Sequence, residues 1–210
     1  MRTWIQCVCL TGLLCMSSMS SASEVMLRDF LKQVDTLQAD FEQRITDEGG
    51  MTIETAKGIF SLSRPGRFRW DTASADPDFE RGPQIVSNGE SIIFYEPDLA
   101  SANVRSFDEA VQQAPTIVLV QSGEKLDDVF TITDYGLTDG LSWVALRPKS
   151  DDAGFNELMI GFDNGALAQI LITDMLANET RLRLTNVKTN QSLPAALFEL
   201  ELPEGVDFVH

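Results

Sequence analysis

Leu27, Phe30, Leu31 and Val34 recur at helical spacing, with Arg28, Asp29, Lys32, Gln33 and Asp35 between them. This spacing predicts an amphipathic helix of about three turns with one apolar face. From Leu37 the period drops to two. Leu37, Ala39, Phe41, Gln43 and Ile45 alternate with Gln38, Asp40, Glu42 and Arg44, as in a strand with one buried face. Asp47-Glu48-Gly49-Gly50 closes that strand in a turn.

Short strands with turn signals follow. Residues 56–63 form one, ended by Arg64-Pro65-Gly66, and residues 67–71 the next, with Phe68 and Trp70 on one face. Residues 72–83 are polar, carry Asp76-Pro77 and Gly82-Pro83, and read as a loop. Asn88-Gly89 joins 84–87 to 91–95 as a hairpin, and Glu96-Pro97-Asp98 turns the chain into 101–106. The alternation stops between Phe107 and Asp128. There Pro115 opens Thr116-Ile117-Val118-Leu119-Val120, followed by Gln121-Ser122-Gly123. Proline at a first turn and glycine past the end fit a short apolar helix, while the β-branched residues leave a strand as the alternative. Strands resume at 130–135, 141–147, 156–162, 166–173 and 180–187, with a second hairpin signal at Asp163-Asn164-Gly165. A last strand is expected at 199–202, before Pro203-Glu204-Gly205. So many hairpin-linked strands predict one antiparallel sheet of about ten or eleven strands, wide enough to curl, whose open mouth a helix can close. Phe41, Phe60, Phe68, Trp70, Phe94, Met159 and Phe162 fall on its expected buried phases.

The start of the chain follows a different pattern. Arg2 is the only charge before Glu24; an apolar run from Trp4 to Met16 leads into Ser17-Ser18-Met19-Ser20-Ser21-Ala22-Ser23. A basic start, a short apolar centre and small residues describe a cleavable signal peptide, residues 1–23, with cleavage after Ala22 or after Ser23. Residues 24–210 are then a single domain. Cys15 follows Leu13-Leu14, a poor lipoprotein signal, so a soluble exported protein is expected.

Composition narrows the chemistry. The 210 residues hold 16 Lys and Arg against 32 Asp and Glu, a formal charge of −16. Such an acidic chain is a poor ligand for nucleic acid or an anionic bilayer. Cys7, Cys9 and Cys15, all three cysteines, leave with the signal, and the one histidine, His210, is the final residue. Thiol, Ser–His and His-based zinc chemistry are therefore unavailable to the mature chain, and no phosphate-binding or nucleophile-elbow motif occurs. Asp127-Asp128 and Asp151-Asp152 read as solvated surface, with carboxylate hydrolysis or a calcium site as the alternatives. The expectation is a protein that is not an enzyme and has no catalytic residue, no metal and no cofactor.

Several stretches occur together in a telling order: Phe41-Glu42-Gln43, Arg64-Pro65-Gly66-Arg67-Phe68-Arg69-Trp70, Ile85-Val86-Ser87-Asn88-Gly89, Phe94-Tyr95-Glu96-Pro97-Asp98-Leu99 and Pro115-Thr116-Ile117-Val118-Leu119. As an ordered set spanning the mature chain, they resemble the LolA family of periplasmic lipoprotein carriers. The resemblance implies a mainly β (α+β) fold, an incomplete antiparallel half-barrel of about 11 strands closed by a helical lid over an apolar cavity. It implies acylated outer-membrane lipoproteins as cargo, an inner-membrane LolCDE-type ABC transporter as donor and an outer-membrane LolB-type receptor as acceptor. It implies a periplasmic monomer of a Gram-negative bacterium, with no stable membrane insertion and no nucleic-acid partner. Carried over by residue, Arg64 is a latch whose guanidinium holds the lid shut. Leu27, Leu31, Val34, Ile117 and Leu119 are its apolar lid face, and Phe41, Phe68, Trp70 and Phe94 line the cavity. Thr116 departs from the larger apolar residue expected there. The alternatives are a periplasmic lipid- or lipopeptide-binding or signalling module of the same fold, and a carboxylate-based periplasmic hydrolase.

Overall fold

The computed structural model describes residues 22–74, 81–106, 115–120, 123 and 126–209, without the side chains of 115–117 and 209. The expected signal segment before Ala22, the 75–80 stretch of the polar loop, the Thr116 and Ile117 side chains and His210 lie outside the described residues. Helix α1 (Ala22–Gln33) comes first. Twelve strands then form one sheet: β1 (Thr36–Thr46), β2 (Thr52–Ser63), β3 (Arg67–Thr72), β4 (Gln84–Asn88), β5 (Ser91–Glu96), β6 (Ser101–Ser106), β7 (Phe130–Thr138), β8 (Leu141–Pro148), β9 (Phe155–Asp163), β10 (Ala166–Asp174), β11 (Glu179–Thr189) and β12 (Asp207–Val209). Their order is β12-β6-β5-β4-β3-β2-β1-β11-β10-β9-β8-β7, so β1 lies near the middle and the sheet stays open between β12 and β7. Every pairing is antiparallel except β12 on β6. The Pro115 segment is helical, a 3-10 helix over Pro115–Val120, and a short helix Leu126–Val129 that the sequence pattern did not signal precedes β7.

The period-two pattern sets the two faces. On β1, Leu37, Ala39 and Phe41 are buried inside, while Asp40, Glu42 and Arg44 point out. Pairing carries the inner row across the sheet: Ala39 faces Phe60, Phe60 faces Trp70, Trp70 faces Ile85 and Ile85 faces Phe94. On the other half, Leu158, Ile160 and Phe162 of β9 are fully buried, and α1 lays Leu27, Phe30 and Leu31 over this region through contacts with β7, β8 and β9. Each such side chain contributes about 1.5–3 kcal/mol when fully buried. Met159, expected on the buried phase with Phe162, lies on the opposite face: three positions apart in a strand means opposite sides.

The expected strand at 199–202 is absent. The chain there runs from the 3-10 helix Ala195–Phe198 across the outer face of β3, and pairs with an edge only at Asp207. The cause is Arg69, 8% exposed, which bonds Asp71 at 2.7 Å and donates at 3.3 Å to both the Leu197 and the Glu199 carbonyls. Those carbonyls are taken by a guanidinium rather than by a ladder. Arg67 also stacks over Phe198, which is 2% exposed. Replacing Arg69 with Leu leaves these acceptors without their donor. It is expected to lower stability by about 2 kcal/mol and to open the 199–206 segment to limited proteolysis, read by urea melts and mass spectrometry of the nicked chain.

Candidate functional site

The turn between β2 and β3 is where the helical elements meet the sheet. Arg64 sits at its first position, and its backbone N–H donates to Asp35 O at 2.8 Å in the link between α1 and β1. Its side chain reaches two further elements. Nη2 donates to the Leu119 carbonyl at 2.6 Å, and Nη1 donates to the Phe30 carbonyl at 3.4 Å in the last turns of α1. The guanidinium also stands 5.0 Å from the centre of the Phe30 ring. Gly66, two residues on, donates its N–H to the Val120 carbonyl at 3.1 Å. One tight turn thus fastens α1 and the 3-10 helix Pro115–Val120 to the same strand ends. Arg suits the position because a planar fork of donors bonds two separated carbonyls, where an ammonium offers a point. Burial pushes its pKa down to about 10, with Asp35 opposing the shift. The group is therefore charged at neutral pH but held at a desolvation cost.

Beneath these elements lie the apolar residues expected from the sequence. Leu27 and Leu119 are fully buried, Leu31 nearly so, and Val34, just past the end of α1, is half-buried. Phe41 and Phe68 are buried, and the Phe41 and Trp70 rings are 4.4 Å apart, with Phe60 5.1 Å from Trp70 on its other side. Phe94 belongs to the same face but is only half-buried, and Arg105 lies 5.5 Å above its ring. The inner face thus has two parts. α1 covers the β7–β9 half, while Trp70, Ile85 and Phe94 form a partly exposed apolar shelf on the β3–β5 half.

The described inner-face residues pack against one another in one apolar cluster. A groove of about 790 Å³ lies instead around the outer face of β1, and Glu42, Arg44, Lys57, Arg181 and Arg183 give it a polar lining unsuited to acyl chains. The residues missed from sequence are Phe30, whose ring and carbonyl both meet Arg64, and Gly66. Backbone partners leave no side-chain signal in the sequence. Of the acidic pairs, Asp127 is engaged with Arg28 of α1 at 2.7 Å, and Asp151 and Asp152 are both exposed in a turn. No helix among the described residues is long and apolar enough to cross a membrane.

Comparison with known proteins agrees with this architecture. Residues 32–201 match the family model described as "Outer membrane lipoprotein carrier protein LolA". An outer-membrane lipoprotein carrier protein of Methylococcus capsulatus is 38% identical, over 93% of this chain and 92% of its own. Its counterpart from Dechloromonas aromatica is 33% identical, over 87% and 85%. Among solved structures, an uncharacterized conserved protein from Thermus thermophilus shares the fold with a TM-score of 0.53 at 14% identity, covering 90% of this chain and 98% of its own. These matches, which run over most of the length, place the chain in the LolA family of outer-membrane lipoprotein carrier proteins.

Proposed function

We propose that this chain, once cleared of its signal peptide, is a periplasmic, monomeric carrier of acylated outer-membrane lipoproteins. It takes each one from an inner-membrane ABC transporter of the LolCDE type and passes it to an outer-membrane receptor of the LolB type. The observation that carries this reading is the Arg64 guanidinium, which holds carbonyls of both helical elements above an apolar inner face. Each acyl methylene is worth about 0.8 kcal/mol in an apolar site, so a multi-acylated protein crosses water only when covered. The same gain would trap the cargo if nothing opposed it. In the closed form, Leu27, Leu31 and Leu119 occupy the interior beside Phe41, Phe68 and Trp70. Loading must displace the lid, and reclosure around Arg64 recovers its contacts as the cargo leaves.

The deciding experiment incubates the purified protein with spheroplasts that carry a competent transporter. Release of mature lipoproteins into solution as a 1:1 complex is expected, and no release would overturn the carrier reading. A second measurement follows the acyl chain itself. The mature chain has two tryptophans, Trp70 on the inner face and Trp143 on the outer. In a Trp143→Phe variant, binding of a triacylated lipopeptide is expected to shift the emission of Trp70. Binding without any change in Trp70 would place the acyl chains elsewhere.

A further inference from the structure

The inner phase of β7 ends on a carboxylate. Phe130, Ile132 and Asp134 share one face, and Asp134 pairs across from Val144, which is fully buried. An acid on the apolar phase of a strand needs strong partners. Two backbone donors meet it: the Gly136 N–H on one oxygen and, at 3.0 Å on the other, the N–H of Ser23. Ser23 is the second residue of α1 and is 1% exposed.

The two ends of α1 are held differently. Its C-terminal end runs directly into β1 and is pinned by Asn190, whose side chain donates to Gln33 O at 2.9 Å and accepts from Asp35 N–H at 2.8 Å. The N-terminal end is fastened to other elements instead. Its fastenings are Asp134 and, one turn further along, Arg28 bonded to Asp127 of the Leu126–Val129 helix at 2.7 and 2.9 Å.

We propose that the leader is cut between Ala22 and Ser23, and that the α-ammonium created on Ser23 pairs with Asp134 as a second lid latch, at the opposite end of α1 from Arg64. The proposal rests on reading α1 as the lid. Cutting there places Ser20 and Ala22 at the −3 and −1 positions, where leader peptidases require small residues. Hydrolysis breaks the C–N bond. The oxygen of water goes to the Ala22 carboxylate, and both its protons end on the Ser23 nitrogen. A neutral amide donor thereby becomes a cation facing the carboxylate, so an ion pair is added to the hydrogen bond already there. A bare ammonium would be repelled by the positive end of its own helix, and Asp134 supplies the anion that offsets this. Cutting after Ser23 would discard the very nitrogen that Asp134 holds.

The test begins with N-terminal sequencing of the protein purified from the periplasm. A start at Ser23 is expected, and a start at Glu24 or upstream of Ser23 overturns the proposal. The native protein is then treated at neutral pH with an amine-selective acylating reagent. The Ser23 amine is expected to react at least about tenfold faster in Asp134→Asn than in the wild type, the factor for losing one charge-assisted bond. Equal rates overturn the pairing. A leaderless chain that retains Ala22 keeps every side chain but moves the ammonium by one residue. It is expected to label fast and to exchange the α1 amides faster; wild-type protection in that chain also overturns the proposal. These measurements need no cargo. A protein with this latch intact that releases no lipoprotein from spheroplasts would therefore refute the carrier reading alone.

Discussion

Arg64→Leu is expected to accept lipoprotein from the transporter at a normal level and to pass it to the receptor at least roughly tenfold more slowly. The argument is energetic. In the closed form the guanidinium bonds the Leu119 and Phe30 carbonyls and covers the Phe30 ring. Hydrogen bonds to a charged group contribute about 1.5–3 kcal/mol each, less the desolvation that lowers the pKa of this arginine. A net closing energy of about 2 kcal/mol remains, roughly a thirtyfold bias toward the shut lid. Leucine fills the space but donates nothing, so the lid rests open, cargo stays, and the contacts that help expel it are not regained. Arg64→Lys should restore only part of the transfer, because an ammonium cannot span both carbonyls as a planar fork does. The measurement is transfer from the purified complex to receptor-containing outer membranes. Wild-type transfer by Arg64→Leu would dismiss the latch. The pH behaviour is fixed by the same group. Its pKa of about 10 in the folded protein and its higher ordinary value both lie above the physiological range. Arg64 therefore stays protonated in both states from pH 6 to 8 and adds no appreciable slope to stability or lid closure across that window.

Gly58→Ala is expected to be the most damaging one-carbon change in the sheet, lowering stability by about 3 kcal/mol and the melting temperature by roughly 6–12 °C. A Cβ at Gly58 would stand 1.9 Å from the Asp71 carbonyl oxygen and 2.8 Å from Cε1 of Phe41. The first contact is backbone and yields only if β2 and β3 part. The second is with the ring that uses the empty position to reach Trp70. Gly58 therefore makes the hole into which the central aromatic pair of the inner face fits, a close approach of the kind that glycine permits inside a strand. Urea denaturation of the variant checks the magnitude, and Trp70 emission checks the displaced ring. A loss below about 1 kcal/mol would mean that the sheet relaxes around the new methyl group.

The two sites differ in how far the sequence revealed them. Arg64 was recognisable only by resemblance. As a residue, it is an arginine before a proline at a strand end, and its partners are carbonyls 34 and 55 positions away. Carbonyls look alike in every residue, so no spacing marks which two will meet a guanidinium. Asp134 carried a signal of its own, because Phe130, Ile132 and Asp134 continue an apolar alternation that ends on an acid. What the pattern could not supply was the partner, the backbone nitrogen of Ser23, 111 residues earlier. The terminal strand failed for a related reason. Glu199-Leu200-Glu201-Leu202 alternates as a strand does, but the carbonyls around it were already claimed by Arg69.

The sequence by itself determined most of the elements and their faces: helix α1, the strands β1 to β11, the hairpins at Asn88-Gly89 and Asn164-Gly165, and most of the apolar rows. These follow from side-chain periodicity and turn chemistry, which act over a few residues. It also determined that every cysteine lies within the first 15 residues and that the one histidine is His210, since that depends only on which residues are present. The tertiary structure alone decided that the sheet stays open between β12 and β7, and that α1 covers only the β7–β9 half. It also decided that the Arg64 turn, the end of α1 and the 3-10 helix Pro115–Val120 converge on one guanidinium. Those outcomes depend on how far twelve strands twist and on which backbone groups are left for side chains to bond, and both are set by the whole sheet.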